Sequence, residues 1–239
     1  MNYSHPLAIR LRRVGQKLGI LRPFVRAYRR LTNSAYEQEF DRSLIAYIRD
    51  GDVVWDVGAN VGFFTGKFSQ SAGTSGKVIA FEPAPDTFLT LKSEAAAWPN
   101  VTVENIALAD FQGESSFRAS DTVNDPTNGL RASDDGSSAT VKVAVTTGDQ
   151  YCQDHAERIP TVIKIDVEGF ELEVLRGLDH TLRQPRLKAI FMEVHFQVLA
   201  MRGMTNAPLQ IADILGNHHF KLAWTDPSHF VATRVLESH

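Results

Sequence analysis

With 239 residues, the chain is long enough for one α/β domain with its own core, and 43% hydrophobic and 22% charged residues are typical of a folded globular protein. The single cysteine, Cys152, excludes an internal disulfide framework and a thiolate metal site, and it suits a reducing compartment. The sequence has no apolar run long enough for a bilayer and no secretory signal pattern at its N-terminus, so we expect a cytoplasmic protein.

The N-terminal segment is strongly basic, although the net charge of the whole chain is −3. Its first 36 residues hold eight Lys and Arg and no acidic residue. We expect a basic helical extension over residues 1–48 and a single domain over residues 49–239. The extension could contact an anionic membrane surface peripherally, or an anionic glycan or lipid substrate. Glycines and Pro23 interrupt any long helix, so a segment docked on the acidic body or a partly disordered leader is the simpler explanation. The acidic body argues against a nucleic-acid partner.

From residue 52 onward, the pattern alternates between buried strands and helices. The predicted strands cover residues 53–57, 77–83, 101–108, 161–169 and 187–195. The predicted helices cover residues 63–71, 86–98, 171–181 and 209–215. Two further strands, at 220–225 and 229–234, flank a turn and form a terminal antiparallel hairpin. This alternation predicts a mostly parallel sheet covered by helices on both faces.

A polar insert at residues 119–139, rich in Ser, Asp, Asn and Gly, interrupts the alternation. Short strands are predicted on either side of it, at 115–118 and 140–146. The insert could be a mobile loop over a site, or a disordered excursion without a role.

A glycine-containing turn, DVGANVG from Asp56 to Gly62, follows the first strand. A dinucleotide-binding loop of the G-x-G-x-x-G type would have glycine where Asn60 stands, and Asp56 would repel a pyrophosphate. The turn suits a ligand with a positive charge and no phosphate, such as S-adenosyl-L-methionine. Gly58 and Gly62 allow a sharp turn and close approach, and the amides at the start of the next helix can meet the carboxylate of such a ligand.

Glu82 ends the second strand, where a carboxylate can accept hydrogen bonds from both hydroxyls of a ribose. The structural alternative is that Asp56 caps the turn and Glu82 is a solvated strand end. We expect the ligand-binding role for both.

Three carboxylates follow one another closely near the end of the fourth strand: Asp166, Glu168 and Glu171. Such a group needs a positive charge nearby. The candidates are the sulfonium and ammonium of the cofactor, a divalent cation such as Mg²⁺, and Lys164. Helix capping explains Glu171 and contributes at Glu168, but it does not explain Asp166. Mg²⁺ remains one candidate for the positive charge near Asp166, but we predict no metal-binding residue.

Five segments, in order, resemble the FkbM family of S-adenosylmethionine-dependent methyltransferases: DVGANVGFFT, AFEPAPDTFLTLK, NIALAD, IKIDVEGFELEVLRG and FMEVH. They span roughly residues 52–195, and IKIDVEGFELEVLRG is the most specific. The resemblance implies an α/β, Rossmann-like class I methyltransferase with a mostly parallel seven-stranded sheet and an antiparallel C-terminal hairpin. Members of the family mostly O-methylate sugars, glycolipids or natural-product scaffolds.

The resemblance also implies roles for individual residues. The cofactor loop would be formed by Asp56, Gly58, Asn60 and Gly62. Glu82 would hold the ribose, and Asn105 and Ile106 would flank the adenine. Asp166 would face the methionine end of the cofactor. The N-terminal segment and the insert lie outside the resemblance and are expected to select the substrate.

Methyl transfer to an alcohol needs a group that removes the hydroxyl proton. His195 is the predicted base because imidazole titrates near neutral pH, and Asp166 and Glu193 are the alternatives. Glu193 lies on the same strand face as His195 and could orient the imidazole.

The predicted function is therefore methyl transfer from S-adenosyl-L-methionine to a hydroxyl of a saccharide, a glycolipid or a small natural product. The alternatives are an NAD-dependent oxidoreductase, against which Asp56 and Asn60 argue, and a cofactor-binding Rossmann domain without catalysis. The sequence predicts no oligomeric state.

Overall fold

The computed structural model describes residues 40, 42–118, 129–131 and 140–235. Most of the predicted basic extension therefore lies outside the described residues. The same holds for most of the insert at residues 119–139.

A seven-stranded sheet forms the centre of the described structure. Its strands are β1 (Val53–Val57), β2 (Lys77–Phe81), β3 (Val101–Glu104), β8 (Val162–Ile165), β9 (Ala189–Glu193), β10 (Phe220–Trp224) and β11 (His229–Arg234). Across the sheet the order is β10-β11-β9-β8-β1-β2-β3. β11 is antiparallel to both of its neighbours, and the other adjacent pairs are parallel. The predicted seven-stranded, mostly parallel sheet is confirmed.

A second, smaller sheet is formed by the strands that lie between β3 and β8 in the chain. These are β4 (Ala107–Leu108), β5 (Gly113–Arg118), β6 (Gly129–Arg131) and β7 (Thr140–Thr146), in the order β4-β7-β5-β6. The prediction of one strand over residues 101–108 is wrong. The chain turns at Asn105, whose Nδ2 donates to the backbone oxygens of Glu82 and Pro83, and β4 then pairs with β7.

Eight α-helices accompany the strands within the described ranges. They are α1 (residues 42–47), α2 (Phe63–Ala72), α3 (Pro85–Ala95), α4 (Gly148–Asp154), α5 (Glu171–Arg176), α6 (Asp179–Leu182), α7 (Phe196–Met201) and α8 (Ala207–Asn217). The predicted helix at 171–181 is two short helices that meet at Gly177 and Leu178. The sequence did not predict α4 and α7, because seven and six residues are too few for a clear helical period.

Helices cover both faces of the central sheet, and all five residues of β1 are buried. Alternate strand residues face opposite sides, so Trp55 belongs to one hydrophobic cluster and Val54 to another. Leu44 and Ile48 belong to the same cluster as Val54. The described end of the predicted N-terminal extension thus packs on the sheet.

The strand register brings the carboxyl ends of four neighbouring strands to one edge of the sheet. Val57 pairs with Phe81 and with Ile165, and Ile165 pairs with Met192. The polar or glycine residues that come next in each segment therefore share this edge: Gly58, Glu82, Asp166 and Glu193. β1 lies where the strand order reverses, and ligands of open parallel sheets bind in the crevice at that point.

Candidate active site

The turn after β1 has the backbone shape that its glycines predict. Gly58, Asn60 and Gly62 have φ of +79°, +51° and +94°, in the left-handed region. A Cβ on Gly58 would lie 1.9 Å from the backbone oxygen of Asp166, so the turn packs directly on the segment after β8. A Cβ on Gly62 would lie 2.7 Å from Leu91 Cδ1, so this glycine lets two helices approach each other.

Asp56 points into the protein and is fully buried. Its Oδ2 accepts a 2.6 Å hydrogen bond from Thr65 Oγ1, and its Oδ1 lies 3.5 Å from Lys164 Nζ. Through Thr65, Asp56 connects the base of the turn to α2, while its Oδ1 has no hydrogen-bond partner among the described residues. The predicted contact of Asp56 with the cofactor stays a prediction.

Lys164 is a buried cation at this edge. Its Nζ lies 3.3 Å from Asp166 Oδ2 and 3.5 Å from Asp56 Oδ1, and it donates to the backbone oxygen of Gly58. Burial alone would lower the pKa of Lys164, but the charges of Asp166 and Asp56 raise it above its ordinary value. Lys164 was one of the three candidates for the positive charge near Asp166, and the structure pairs it with that carboxylate.

Glu82 lies at the end of β2 and is 7% exposed. Its two carboxylate oxygens accept 2.9 Å hydrogen bonds from the backbone N–H groups of Asn60 and Ala84. Burial raises the pKa of Glu82 to about 7, against the lowering effect of these backbone hydrogen bonds. Each carboxylate oxygen has a second lone pair, so Glu82 can still accept hydrogen bonds from ribose hydroxyls.

Asn105 and Ile106 follow β3, next to Glu82 along the same edge. Asn105 is exposed, and its Nδ2 donates to the backbone oxygens of Glu82 and Pro83 at 2.9 and 3.0 Å. Ile106 is partly buried and packs against the larger hydrophobic cluster. Asn105, one of the two residues predicted to flank the adenine, therefore contacts the backbone of the residue predicted to hold the ribose.

His195 lies after β9 and is held by Glu171. Its Nδ1 is 2.7 Å from Glu171 Oε1, and Glu171 is fully buried. The same oxygen accepts the backbone N–H of Gly169 at 2.8 Å. The predicted capping role of Glu171 does not account for these contacts, because the carboxylate binds groups outside α5. The sequence did not indicate this pair, since 24 residues separate its members.

Nε2 of His195 faces three further carboxylates. It lies 3.1 Å from Glu168 Oε2, 3.7 Å from Asp166 Oδ1 and 3.9 Å from Glu193 Oε1. Burial alone would lower the pKa of His195, but its hydrogen bond with Glu171 and the charges of Glu171, Glu193 and Glu168 raise it to about 9. The imidazole is therefore protonated at neutral pH.

Glu168, one of the three carboxylates predicted to need a nearby positive charge, is a titratable group of this cluster. It has φ of +50° and lies in the turn between β8 and α5. Burial raises the pKa of Glu168 to about 7, and the charges of Asp166 and Glu193 add to this effect, while His195 opposes it. A carboxyl group with such a pKa can exchange a proton near neutral pH.

Glu193 connects this cluster to a second histidine. His229 Nε2 lies 3.3 Å from Glu193 Oε2, and His229 Nδ1 lies 2.8 Å from Asp226 Oδ2. Burial alone would lower the pKa of His229, but its hydrogen bonds with Asp226 and Glu193 raise it to about 10. Glu193 therefore orients His229 at closer range than His195. The sequence did not reveal this contact, because it depends on the pairing of β9 with β11.

The carboxyl edge of the sheet carries groups that can bind the carboxylate, the ribose and the positive charge of S-adenosylmethionine. The N-cap of the ten-residue helix α2 is Gly62, so no side chain caps its first amides, and these can bind a carboxylate. Buried Glu82 provides acceptors for ribose hydroxyls, and the half-buried carboxylate of Asp166 can face a positively charged group. The residues present fit this cofactor.

Solved structures define the class of fold. SMU.1697c from Streptococcus mutans, solved in complex with SAH, superposes with a TM-score of 0.52 and 11% identity, covering 83% of this chain and 97% of that chain. A protein from Clostridium thermocellum assigned as an rRNA methylase gives a TM-score of 0.51 at 11% identity, covering 84% and 96%. The chain has the Rossmann-like fold of class I methyltransferases.

The particular family follows from the sequence comparison. The family model described as "Methyltransferase FkbM domain" matches residues 56–222, which is more than half of the chain. The chain therefore belongs to the FkbM methyltransferase family, and the predicted resemblance is confirmed. The Rossmann-like fold of the chain agrees with this family assignment.

Two curated relatives match part of the chain. The hexuronic acid methyltransferase AglP of Haloferax volcanii is 32% identical over 160 residues, covering 66% of this chain and 62% of AglP. Methyltransferase 1 of Beauveria bassiana is 29% identical over 162 residues, covering 56% of this chain and 61% of the relative. The chain thus spans less than two thirds of the length of either relative.

Among the residues that the structure describes, no helix combines the length and apolar character needed to cross a membrane.

Proposed function

We propose that this chain transfers a methyl group from S-adenosyl-L-methionine to a hydroxyl of a saccharide, a glycolipid or a small natural product. The observation that carries the proposal is the direct packing of the turn after β1 on Asp166, which starts the carboxylate and imidazole cluster. A cofactor held at the turn would lie beside this cluster. When bound, S-adenosyl-L-methionine supplies an electrophilic methyl group on a sulfonium.

Different residues at the carboxyl edge of the sheet contact different parts of the cofactor. Glu82 accepts hydrogen bonds from the ribose, and Asn105 and Ile106 flank the adenine. Asp166 faces the positively charged methionine end. Asp56 acts through the protein interior, because its buried carboxylate holds Thr65 and Lys164 in place.

His195 is the proposed general base, and Asp166 and Glu193 are the alternatives. The imidazole carries a proton at neutral pH, because the surrounding carboxylates raise its pKa to about 9. A positive charge next to those carboxylates would lower the pKa of His195 and so favour the neutral imidazole that a base requires. Glu171 keeps the ring oriented so that Nε2 is the atom that takes the proton.

The acceptor is proposed to be a saccharide, and a hexuronic acid is the first compound to test. This choice rests on AglP, a relative named as a hexuronic acid methyltransferase. A hexuronic acid offers hydroxyls and a carboxylate, so the position of the methyl group in the product distinguishes an ether from an ester.

Neither alternative function is favoured by these observations. An NAD-dependent oxidoreductase would need a glycine-rich phosphate loop, and Asn60 stands at its second glycine position. A non-catalytic cofactor-binding domain would have no use for a base held by a buried carboxylate. A cytoplasmic location, the absence of a nucleic-acid partner, the domain boundary at residue 49 and peripheral membrane contact through the basic N-terminus stay predictions from the sequence.

An acceptor screen with methyl-labelled cofactor tests the proposal. The full chain is incubated with labelled S-adenosyl-L-methionine and a panel of hexuronic acids, neutral hexoses and glycolipids, and the labelled position is found by NMR. We expect label on a hydroxyl oxygen of at least one saccharide. Binding of the cofactor without label transfer to any compound would support the non-catalytic alternative. Label on a carboxylate oxygen would show that the acceptor group is a carboxylate, which becomes a methyl ester, and not a hydroxyl.

A further inference from the structure

We propose that Asp166, Glu168 and His195 form a binding site for a divalent transition-metal ion. One ligand atom from each residue can be chosen so that all three lie within 4.8 Å of one another. Nε2 of His195 is 3.1 Å from Glu168 Oε2 and 3.7 Å from Asp166 Oδ1. Two ligands at right angles on an ion, with bonds of about 2.1 Å, lie about 3.0 Å apart. Small side-chain movements therefore suffice to bring the three atoms onto one ion.

The imidazole is held in the way that metal-binding histidines are held. Its Nδ1 is 2.7 Å from Oε1 of the fully buried Glu171. A histidine that donates Nδ1–H to a carboxylate presents the lone pair of Nε2 on the other side of the ring. In this protein, that side faces Asp166 and Glu168.

The charges around the site also favour a bound cation. Glu171 is fully buried and its Oε2 has no hydrogen-bond partner among the described residues, so its charge is met only through Oε1, by the imidazole and by the Gly169 N–H. Among the described residues, the ion pairs around the site join six carboxylates to three cationic side chains: Asp56, Asp166, Glu168, Glu171, Glu193 and Asp226 with Lys164, His195 and His229. A divalent ion held by Asp166, Glu168 and His195 would add positive charge directly beside these carboxylates.

The donor set favours a transition metal over Mg²⁺ or Ca²⁺, because one of the three donors is an imidazole nitrogen. Two carboxylates and one imidazole suit Mn²⁺ and Zn²⁺. Three protein ligands leave coordination positions open for water or for an acceptor oxygen. A bound ion would occupy the Nε2 lone pair, so His195 would act as the base only in the metal-free protein. With the ion in place, the ion would hold the acceptor hydroxyl and lower its pKa, and Glu193, 3.9 Å from Nε2, would take the proton. That catalytic role rests on the proposed function, whereas the binding of the ion does not.

A titration of the metal-free full chain with Mn²⁺ alone tests the site. Free Mn²⁺ is followed by electron paramagnetic resonance after the protein has been dialysed against EDTA. We expect one saturable site per chain, displaced by Zn²⁺. Affinity should fall by at least about tenfold in Glu168→Gln and His195→Gln, and by about 10–100-fold in Glu171→Gln, which leaves all three ligands in place. His180→Gln, at an exposed histidine, is the matched control and should bind Mn²⁺ like the wild type.

Circular dichroism shows whether each variant is folded. If His195→Gln does not fold, the loss of affinity in Glu168→Gln tests the site. The proposal is overturned if the wild type shows no saturable Mn²⁺ binding, or if the folded variants bind Mn²⁺ as the wild type does. Calorimetry with S-adenosyl-L-methionine on the same metal-free protein separates the two proposals. Cofactor binding without Mn²⁺ binding rejects the metal site alone, and Mn²⁺ binding without cofactor binding rejects the methyltransferase function alone.

Discussion

His195 and Glu171 form a hydrogen-bonded pair, with Nδ1 of the imidazole 2.7 Å from Oε1 of a carboxylate that is fully buried. The pair joins the end of β9 to the start of α5 and aims Nε2 at the carboxylates that follow β8. This contact fixes which nitrogen of His195 faces the carboxylates.

Replacing His195 should reduce turnover while leaving cofactor binding unchanged. General-base catalysis contributes about 10²–10⁴-fold, so we expect the kcat of His195→Gln to fall by at least about a hundredfold. Labelled methyl transfer measures kcat, and calorimetry measures the Kd for S-adenosyl-L-methionine. His180→Gln is the matched control and should keep wild-type turnover. Normal turnover in His195→Gln would instead assign the base to Asp166 or Glu193.

Removing the buried cation Lys164 should destabilise the fold. In Lys164→Met, the carboxylates of Asp56 and Asp166 lose their shared partner, and breaking a buried ion pair costs about 3–5 kcal/mol. Urea unfolding followed by circular dichroism measures the loss. The double variant Lys164→Met/Asp56→Asn should recover part of it, because one uncompensated charge is removed with the cation. If the double variant is as unstable as the sum of the two single variants, Asp56 and Lys164 do not interact energetically.

The His229 contacts should make stability depend on pH. Its folded pKa of about 10 lies above its ordinary value of 6.5, so protonation of His229 stabilises the folded state. This contribution is complete below about pH 6.5 and disappears as the pH rises towards 10. The difference in unfolding free energy between the wild type and His229→Gln should therefore be larger at pH 6 than at pH 9.5. Urea unfolding at both pH values measures it, and a difference independent of pH would show that His229 is not held as a cation.

Gly58 should tolerate no side chain, because two effects act there together. Gly203→Ala is the matched control, since Gly203 has a similar φ of +73° and nothing within 4 Å of an added Cβ. The control isolates the cost of the left-handed backbone, about 1–2 kcal/mol. Gly58→Ala adds a clash with the backbone oxygen of Asp166 and should lose more stability and also cofactor affinity. Equal losses in the two variants would mean that the turn does not press on the segment after β8.

Strands of the central sheet could be predicted where an apolar run and the residues flanking it mark the bounds. The buried strand at residues 53–57 has the bounds that its apolar run and flanking glycines indicated. Local signals failed where distant groups decide the structure. Asn105 ends β3 through carbonyls more than 20 residues away. Gly177 separates α5 from α6, and a Cβ there would lie 2.0 Å from the backbone oxygen of Ala109.

The same distinction applies to the candidate site. The carboxyl-end positions of Glu82 and Asp166 followed from the strand pattern, because parallel strands end at a common edge. The partners of these residues did not follow. The Glu171–His195 and Glu193–His229 contacts depend on how β8, β9, β11 and α5 pack, and no spacing in the sequence encodes that packing.

The most direct measurement is calorimetric titration of the full chain with S-adenosyl-L-methionine and, in parallel, with NAD. The wild type should bind the sulfonium nucleoside and not the dinucleotide. Glu82→Gln should weaken binding at least about tenfold, as expected for the loss of a charged hydrogen bond to the ribose, while Glu94→Gln on the exposed side of α3 should not. Binding of NAD in preference, or equal affinity in Glu82→Gln and the wild type, would contradict the assignment of this sheet edge as the S-adenosyl-L-methionine site.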